Sequence, residues 1–234
     1  MEVTVFTSSY NHSKYLRQAI ESVLDQTYQD FEYILIADGD EDSYKIMLEY
    51  KNDKVKVYKL DKQPNVGVVI NKSIRLSLGD YWSWCPADDY WCPELLEIKL
   101  GYTKKYPRSV LYNNWNFIDE YGNIGENLII KPMTSDEFAK EVWISSPIGF
   151  TGIMIPMYIF RKKNLYFPEH LNFSEDFYWM IRATIYGVPF DGIPERLHYK
   201  RRHANSNTAK NIDKILANIP IIRNELKKEK DAHT

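Results

Sequence analysis

The feature that most constrains the fold of this chain is a regular alternation, over its first 100 residues, of short apolar runs with segments of helical periodicity. Strand-like runs occupy residues 3–7, 31–37, 54–60 and 81–85, and apolar residues recur at helical spacing in residues 13–27, 43–50 and 67–78. Strands that alternate with helices at this spacing form βαβ crossovers, and such crossovers build a mostly parallel sheet. The sequence therefore predicts an α/β fold, a Rossmann-like central sheet flanked by helices.

The pattern is weaker after residue 89. It predicts a helix over residues 93–104, a strand over 110–115 and a helix near the C-terminus. Residues 142–160 form the most apolar stretch, but proline and glycine interrupt it, so we expect buried loop and strand there and no transmembrane segment.

Charge and composition disfavour several functional classes. The 30 Lys and Arg residues nearly balance the 32 Asp and Glu residues, whereas binding nucleic acid through many phosphate contacts requires a basic surplus or a basic face. The chain begins with a strand-like run instead of a signal peptide. Its two cysteines, Cys85 and Cys92, lack partners at zinc-binding spacing. These features predict a cytoplasmic protein that does not bind nucleic acid.

Polar residues follow the predicted strands at the points where the strands end. Ser9 and Tyr10 follow the first strand, Asp38 follows the second, and the pair Asp88 and Asp89 follows the fourth. Ligands of parallel α/β sheets bind at the carboxyl ends of the strands. We therefore expect these side chains to share one rim.

Asp88 and Asp89 are the strongest local signal for chemistry. Adjacent carboxylates in a cleft with little water repel one another unless a cation lies beside them, and hard oxygen ligands suit Mg²⁺ or Mn²⁺. The alternative is a structural role, in which the pair caps the helix that starts near Pro93. The sequence alone leaves both roles open.

Two further candidates lie in the second half of the chain. Glu175 and Asp176 precede an apolar helical pattern, so their ionised forms should be favoured by the helix N-terminus, and either a general base or a simple cap would fit. His203 could donate a nitrogen to a divalent metal while Arg201 and Arg202 face phosphate oxygens, although a histidine among basic residues is more often just exposed. The other four histidines show no metal-binding spacing.

The chain is 15% aromatic and has six tryptophans. Aromatic faces can stack on sugars, and Trp91 and Trp179 lie in sequence beside the two acidic pairs. Packing in the core is the more common role for such residues.

Taken together, these motifs resemble family 2 glycosyltransferases of the GT-A fold. Residues 3–11 are similar to the first strand and "PTYN" loop of that family, and residues 16–28 are very similar to its "L-x-x-A-I-x-S-V-L-x-Q-T-Y" helix. The further matches, in the family's order, are Asp38-Gly39, Asn65-Val66-Gly67, Gly79-Asp80-Tyr81, Asp88-Asp89, Glu175-Asp176 and His203. The resemblance is dense over residues 1–100 and sparse beyond.

The resemblance implies a metal-dependent inverting transfer of a sugar, hexosyl or hexosaminyl, from a nucleotide-sugar donor, a UDP-sugar, to a glycan or other hydroxyl acceptor. It assigns nucleotide binding to Ser9, Tyr10, Asp38, Asp88, Arg201 and Arg202, a Mn²⁺ or Mg²⁺ site to Asp88, Asp89 and His203, and the catalytic base to Asp176. It also implies one domain over residues 1–234, with a nucleotide-binding half (1–100), a half that binds the acceptor and carries the base (101–210) and a C-terminal helix (211–234).

The sequence departs from the family pattern at several positions. Pro86 stands where the first aspartate of "D-x-D-D" is usual, and Ala37 stands where an acid is frequent. These departures motivate one alternative, a catalytically degenerate relative that only binds glycan or nucleotide. A sugar nucleotidyltransferase is the other alternative, but it would carry a glycine-rich phosphate loop after the first strand, and residues 7–11 contain no glycine.

Overall fold

A computed structural model describes residues 1–125 and 131–233 of the chain. The strands are β1 (Val3–Ser9), β2 (Phe31–Asp38), β3 (Val55–Leu60), β4 (Tyr81–Trp84), β5 (Tyr90–Trp91), β6 (Val110–Ile118), β7 (Met154–Pro156) and β8 (Phe190–Arg201). The helices are α1 (Ser13–Leu24), α2 (Glu41–Leu48), α3 (Val66–Leu76), α4 (Leu95–Thr103), α5 (Ser135–Glu141), α6 (Tyr158–Arg161), α7 (Glu175–Ile185) and α8 (Asn207–His233).

The described strands form one sheet in the order β3-β2-β1-β4-β7-β6-β8-β5. Strands β1 to β4 pair in parallel, and β6 pairs in parallel with β8, whereas β7 and β5 are antiparallel to their neighbours. The prediction of a mostly parallel α/β sheet flanked by helices is therefore confirmed. The four predicted strands of the first half coincide with β1 to β4 to within two residues at either end.

Side chains from both faces of the sheet are buried. Along β1, Val3 and Val5 pack into the cluster beneath α1, whereas Phe6 packs into the cluster beneath α3 and α7. This alternation follows from the period of two residues in a strand. All eight residues of β2 are buried, as expected for a parallel strand covered by helices on both faces.

The second half contains the elements that the sequence did not predict. Strand β8 carries Gly192 and Pro194, which obscure its strand pattern, and it pairs with β6 through register shifts on both sides of Asn114. The backbone of α8 leaves helical geometry at Asn211, and the last residue of the predicted C-terminal helix, Thr234, lies outside the described residues. No helix within the described ranges is long and apolar enough to cross a membrane.

Candidate functional site

A cleft of about 1430 Å³ lies at the carboxyl ends of β1, β2 and β4, and the start of α7 and the first half of α8 form its other side. The structure brings all nine residues predicted for the site to this cleft, namely Ser9, Tyr10, Asp38, Asp88, Asp89, Asp176, Arg201, Arg202 and His203. Their convergence follows from strand direction, because the parallel strands end at the same edge of the sheet.

At the β2 end of the cleft, Asp38 accepts hydrogen bonds from Lys62 Nζ at 2.6 Å and from the backbone N–H of Gln63 at 2.7 Å. The ring of Tyr10 is 43% exposed, and Lys62 Nζ lies 4.1 Å from its centroid. An open aromatic face thus lies near a buried carboxylate. The sequence reasoning did not identify Lys62, which lies in the loop after β3.

Ser9 lies at the cleft but is only 2% exposed. Its hydroxyl lies 2.7 Å from Ser43 Oγ, and the Ser43 hydroxyl donates to Asp40 at 2.6 Å. Asp40 also accepts from the backbone N–H of Asn11, whose left-handed φ of 59° turns the chain from β1 towards α1. The side chain of Ser9 therefore helps to fix this loop.

Asp88, His203 and His12 form a cluster that lines the cleft. Asp88 Oδ2 lies 3.2 Å from His203 Nε2, and one potential ligand atom from each residue lies within 4.8 Å of the others. Burial works to raise the pKa of Asp88, but the hydrogen bond from His203 and the nearby His12 outweigh it, so the pKa is lowered. One carboxylate with two imidazoles is a donor set that fits a divalent metal ion.

The sequence reasoning missed His12, because no other histidine lies near His12 in the sequence at the spacing of a metal-binding motif. The available signal was its position, directly after the polar residues that follow β1. The convergence of strand ends would have placed His12 at the same rim as Asp88.

Asp89 is 5% exposed, and protein donors occupy both of its carboxylate oxygens. Its Oδ1 accepts from the backbone N–H of Arg201 at 2.8 Å, and its Oδ2 accepts from Thr151 Oγ1 at 2.6 Å. Burial, together with the charge of Asp88, raises the pKa of Asp89 to about 7. The predicted metal role of Asp89 thus competes with a structural role, in which it ties β8 to the loop after β4.

Arg201 and Arg202 have different environments. The guanidinium of Arg201 donates to the carbonyl oxygens of Asp88, Asp119 and Glu120 and to a side-chain oxygen of Gln18. The buried Arg201 side chain therefore links the end of β8 to α1, to the Asp88 loop and to the loop after β6. Arg202 is exposed, and its guanidinium lies 3.5 Å from the centroid of the Phe117 ring.

Helix α7 begins at Glu175 and Asp176, as predicted, after two residues with left-handed backbone, Phe173 (φ 74°) and Ser174 (φ 65°). The expectation that the helix N-terminus favours the ionised carboxylates is wrong in its net direction. Burial raises the pKa of Asp176, although the Phe177 N–H and Lys200 oppose it, and burial raises the pKa of Glu175 to about 7. Desolvation outweighs the helix dipole here.

The tryptophans near the acidic pairs are core residues. Trp91 and Trp179 are buried in the two clusters, so the suggestion that they stack on a sugar is wrong. Trp84 lines the cleft instead, next to Phe150. Among the described residues, no hydrogen-bond partner is found for the buried Trp84 Nε1 or for the Ser174 hydroxyl on the same cleft.

Comparison with known proteins gives a consistent result. A sequence model of the family described as "Glycosyl transferase family 2" matches residues 4–187. An uncharacterised glycosyltransferase of Rickettsia typhi is 28% identical over 222 residues, which cover 89% of this chain and 67% of that protein. Chondroitin synthase of Escherichia coli is 26% identical over 216 residues, covering 90% of this chain but 30% of that protein.

Solved structures show the same fold. S. aureus TarS 1–349 in complex with UDP-GlcNAc superposes with a TM-score of 0.75 at 18% identity, over 95% of this chain and 66% of that one. The complex of TarS 1–349 with UDP gives a TM-score of 0.73, also at 18% identity, over 95% of this chain and 65% of that one. This chain thus spans just under two thirds of those TarS chains.

Proposed function

The chain belongs to glycosyl transferase family 2, and from that premise we propose that it transfers a sugar from a UDP-sugar to a hydroxyl acceptor, with inversion at the anomeric carbon and with help from a divalent metal. The observation that carries the proposal is that one cleft holds both the Asp88–His203 pair and the carboxylate of Asp176. Such an arrangement can bind a leaving diphosphate and receive a proton in the same cavity.

The nucleotide would bind at the ends of β1 and β2. The exposed ring of Tyr10 offers a face for the base, and the buried carboxylate of Asp38 is an acceptor for an N–H at the edge of uracil. Lys62 lies beside both groups, with its ammonium paired to Asp38 and close to the Tyr10 ring. The S. aureus TarS structures hold UDP and UDP-GlcNAc on the same fold, which supports this choice of donor.

Asp88 and His203 would hold the metal ion, whose charge would stabilise the departing nucleoside diphosphate. Arg202 is exposed at the same cleft and would add a positive charge towards the phosphates. Arg201 and Asp89 would keep the Asp88 loop and the end of β8 together, because their hydrogen bonds join these segments. The acceptor would enter between α7 and the first half of α8, which form the opposite wall.

Asp176 would act as the general base. As the acceptor oxygen forms its bond to the anomeric carbon, the bond from that carbon to the phosphate oxygen breaks, and the acceptor proton passes to Asp176. A single displacement of this kind inverts the anomeric carbon. Burial raises the pKa of Asp176, which makes its carboxylate a better proton acceptor than an exposed aspartate.

The test is transfer by Asp176→Asn. We expect kcat to fall by about 10²–10⁴-fold, the usual contribution of general base catalysis, with UDP affinity retained in calorimetry. Asp136→Asn is the matched control, since Asp136 is an exposed carboxylate in the first turn of another helix, α5. Unchanged turnover in Asp176→Asn would contradict the base assignment. Binding of UDP without transfer, across a panel of donors and acceptors, would instead support a relative that only binds.

A further inference from the structure

His12 lies against the pair of residues to which the metal is assigned above. Its ring and that of His203 pack edge to face with centroids 5.7 Å apart, and a ligand atom of His12 lies within 4.8 Å of those of Asp88 and His203. Within residues 1–125 and 131–233, no group is found hydrogen-bonded to the His12 imidazole. The side chain thus points to a shared centre without a protein partner of its own there.

The backbone holds His12 in this position. The left-handed turn at Asn11 is fixed by the hydrogen bond to Asp40, and His12 is the residue immediately before α1. The ring of Tyr15 also contacts His203, with centroids 5.1 Å apart. His203 therefore packs against two rings from the start of α1.

Capping does not explain a histidine at this position. The residue before a helix stabilises it when its side chain accepts a hydrogen bond from the first turn, and Ser, Thr, Asp and Asn are preferred there. His12 makes no such bond.

We propose that His12 is a third protein ligand of the metal, and that the resulting set of two imidazoles and one carboxylate makes the site selective for Mn²⁺ over Mg²⁺. Imidazole nitrogen suits transition metals, whereas Mg²⁺ takes oxygen ligands and keeps several of its waters. A site made of carboxylates alone would not discriminate in this way. The inference rests on the proposed function, which places a metal ion beside the diphosphate. It adds the ligand that determines which metal ion the site prefers.

Two variants of His12 distinguish a role in metal binding from a role in folding. His12→Ser removes the imidazole and keeps a good residue at the start of α1, and His12→Asp replaces the nitrogen ligand with an oxygen ligand that is also a good cap. His233→Ser is the control, since His233 is an exposed histidine at the far end of α8. Far-UV circular dichroism and the unfolding midpoint should be close to wild type in all three.

The measurement is calorimetric titration of the purified chain with MnCl₂ and with MgCl₂, with and without UDP, together with the loss of the free Mn²⁺ signal in electron paramagnetic resonance. We expect the wild type to bind Mn²⁺ more tightly than Mg²⁺. His12→Ser should weaken Mn²⁺ binding at least about tenfold, since changes outside the ligands already cost that much, and should weaken Mg²⁺ binding less. His12→Asp should shift the preference towards Mg²⁺, and His233→Ser should change neither affinity.

The proposal is overturned by equal affinities for the two metals in the wild type, by wild-type Mn²⁺ binding in His12→Ser, or by the lack of any Mn²⁺ binding with UDP present. Failure of the proposed function gives a different result. In that case Mn²⁺ selectivity would follow His12 as expected, but no donor and acceptor pair would be turned over.

Discussion

Asp89 offers the sharpest test of how this site is built, because its two possible roles predict opposite results. If Asp89 is a clamp that ties β8 to the loop after β4, Asp89→Ala should lower the free energy of unfolding and leave metal binding largely intact. If it is a metal ligand, the same change should remove metal affinity as strongly as Asp88→Asn does. The hydrogen bonds from Arg201 N–H and Thr151 Oγ1 to the two oxygens favour the clamp.

The magnitude follows from those two bonds. Asp89→Asn weakens both bonds but also removes a buried charge whose desolvation raises the pKa of Asp89 to about 7, so its net effect on the free energy of unfolding should be small. Asp89→Ala, which leaves two buried donors without an acceptor, should cost about 2–6 kcal/mol.

The assay combines urea unfolding of the metal-free chain with Mn²⁺ calorimetry of the same variants. Thr151→Val is the matched partner, because it removes one of the two bonds without removing a carboxylate. Its effect on stability should be less than additive with that of Asp89→Ala, since both changes remove the same bond. The clamp is refuted if Asp89→Ala unfolds like the wild type and binds Mn²⁺ as poorly as Asp88→Asn.

Three further predictions concern other parts of the molecule. The base Asp176 becomes protonated as the pH falls, and burial raises its pKa, so the acid limb of the kcat profile should lie above pH 3.8, the ordinary aspartate value. A kcat profile that stays flat down to that pH would contradict the assignment. Tyr10→Ala should weaken UDP binding by about 1–3 kcal/mol, the contribution of stacking on a base, and titration with UDP measures it. Lys99 is fully buried and donates to the Leu111 carbonyl at 2.9 Å, and burial lowers its pKa well below the usual range. Lys99→Met should keep or raise the unfolding midpoint measured by thermal denaturation, because an apolar side chain of similar volume avoids the desolvation of a buried amine.

The first half of the fold could be predicted because its signals are local. Each strand there is a short apolar run, and each helix has its own apolar stripe, so the βαβ order gives the parallel sheet directly. Strand β8 carries no such signal, because Gly192 and Pro194 interrupt it and its pairing with β6 shifts register. Only contacts between distant segments define that strand.

The site shows the same division. Tyr10, Asp38 and Asp88 could be predicted to share one rim, since they lie at or just after the carboxyl ends of strands whose direction the βαβ order gives. The partners that decide what these residues can do lie elsewhere in the sequence: Lys62 pairs with Asp38, and Thr151 with Asp89. The pKa of Asp176 was predicted in the wrong direction, because a helix N-terminus is visible in the sequence whereas the depth of burial is not.

The end of β8 connects these observations. Its consecutive basic residues have different partners. The charge of Lys200 opposes the rise in the pKa of Asp89 and of Asp176, whereas the guanidinium of Arg201 donates to the backbone carbonyl of Asp88. His203 then follows the strand and reaches the carboxylate of Asp88 itself. Because successive residues of a strand point to opposite faces, a shift of one residue in the pairing of β8 would exchange these roles. The hydrogen bonds that Asp89 accepts from Arg201 and Thr151 oppose such a shift and so keep the end of β8 beside the Asp88 loop.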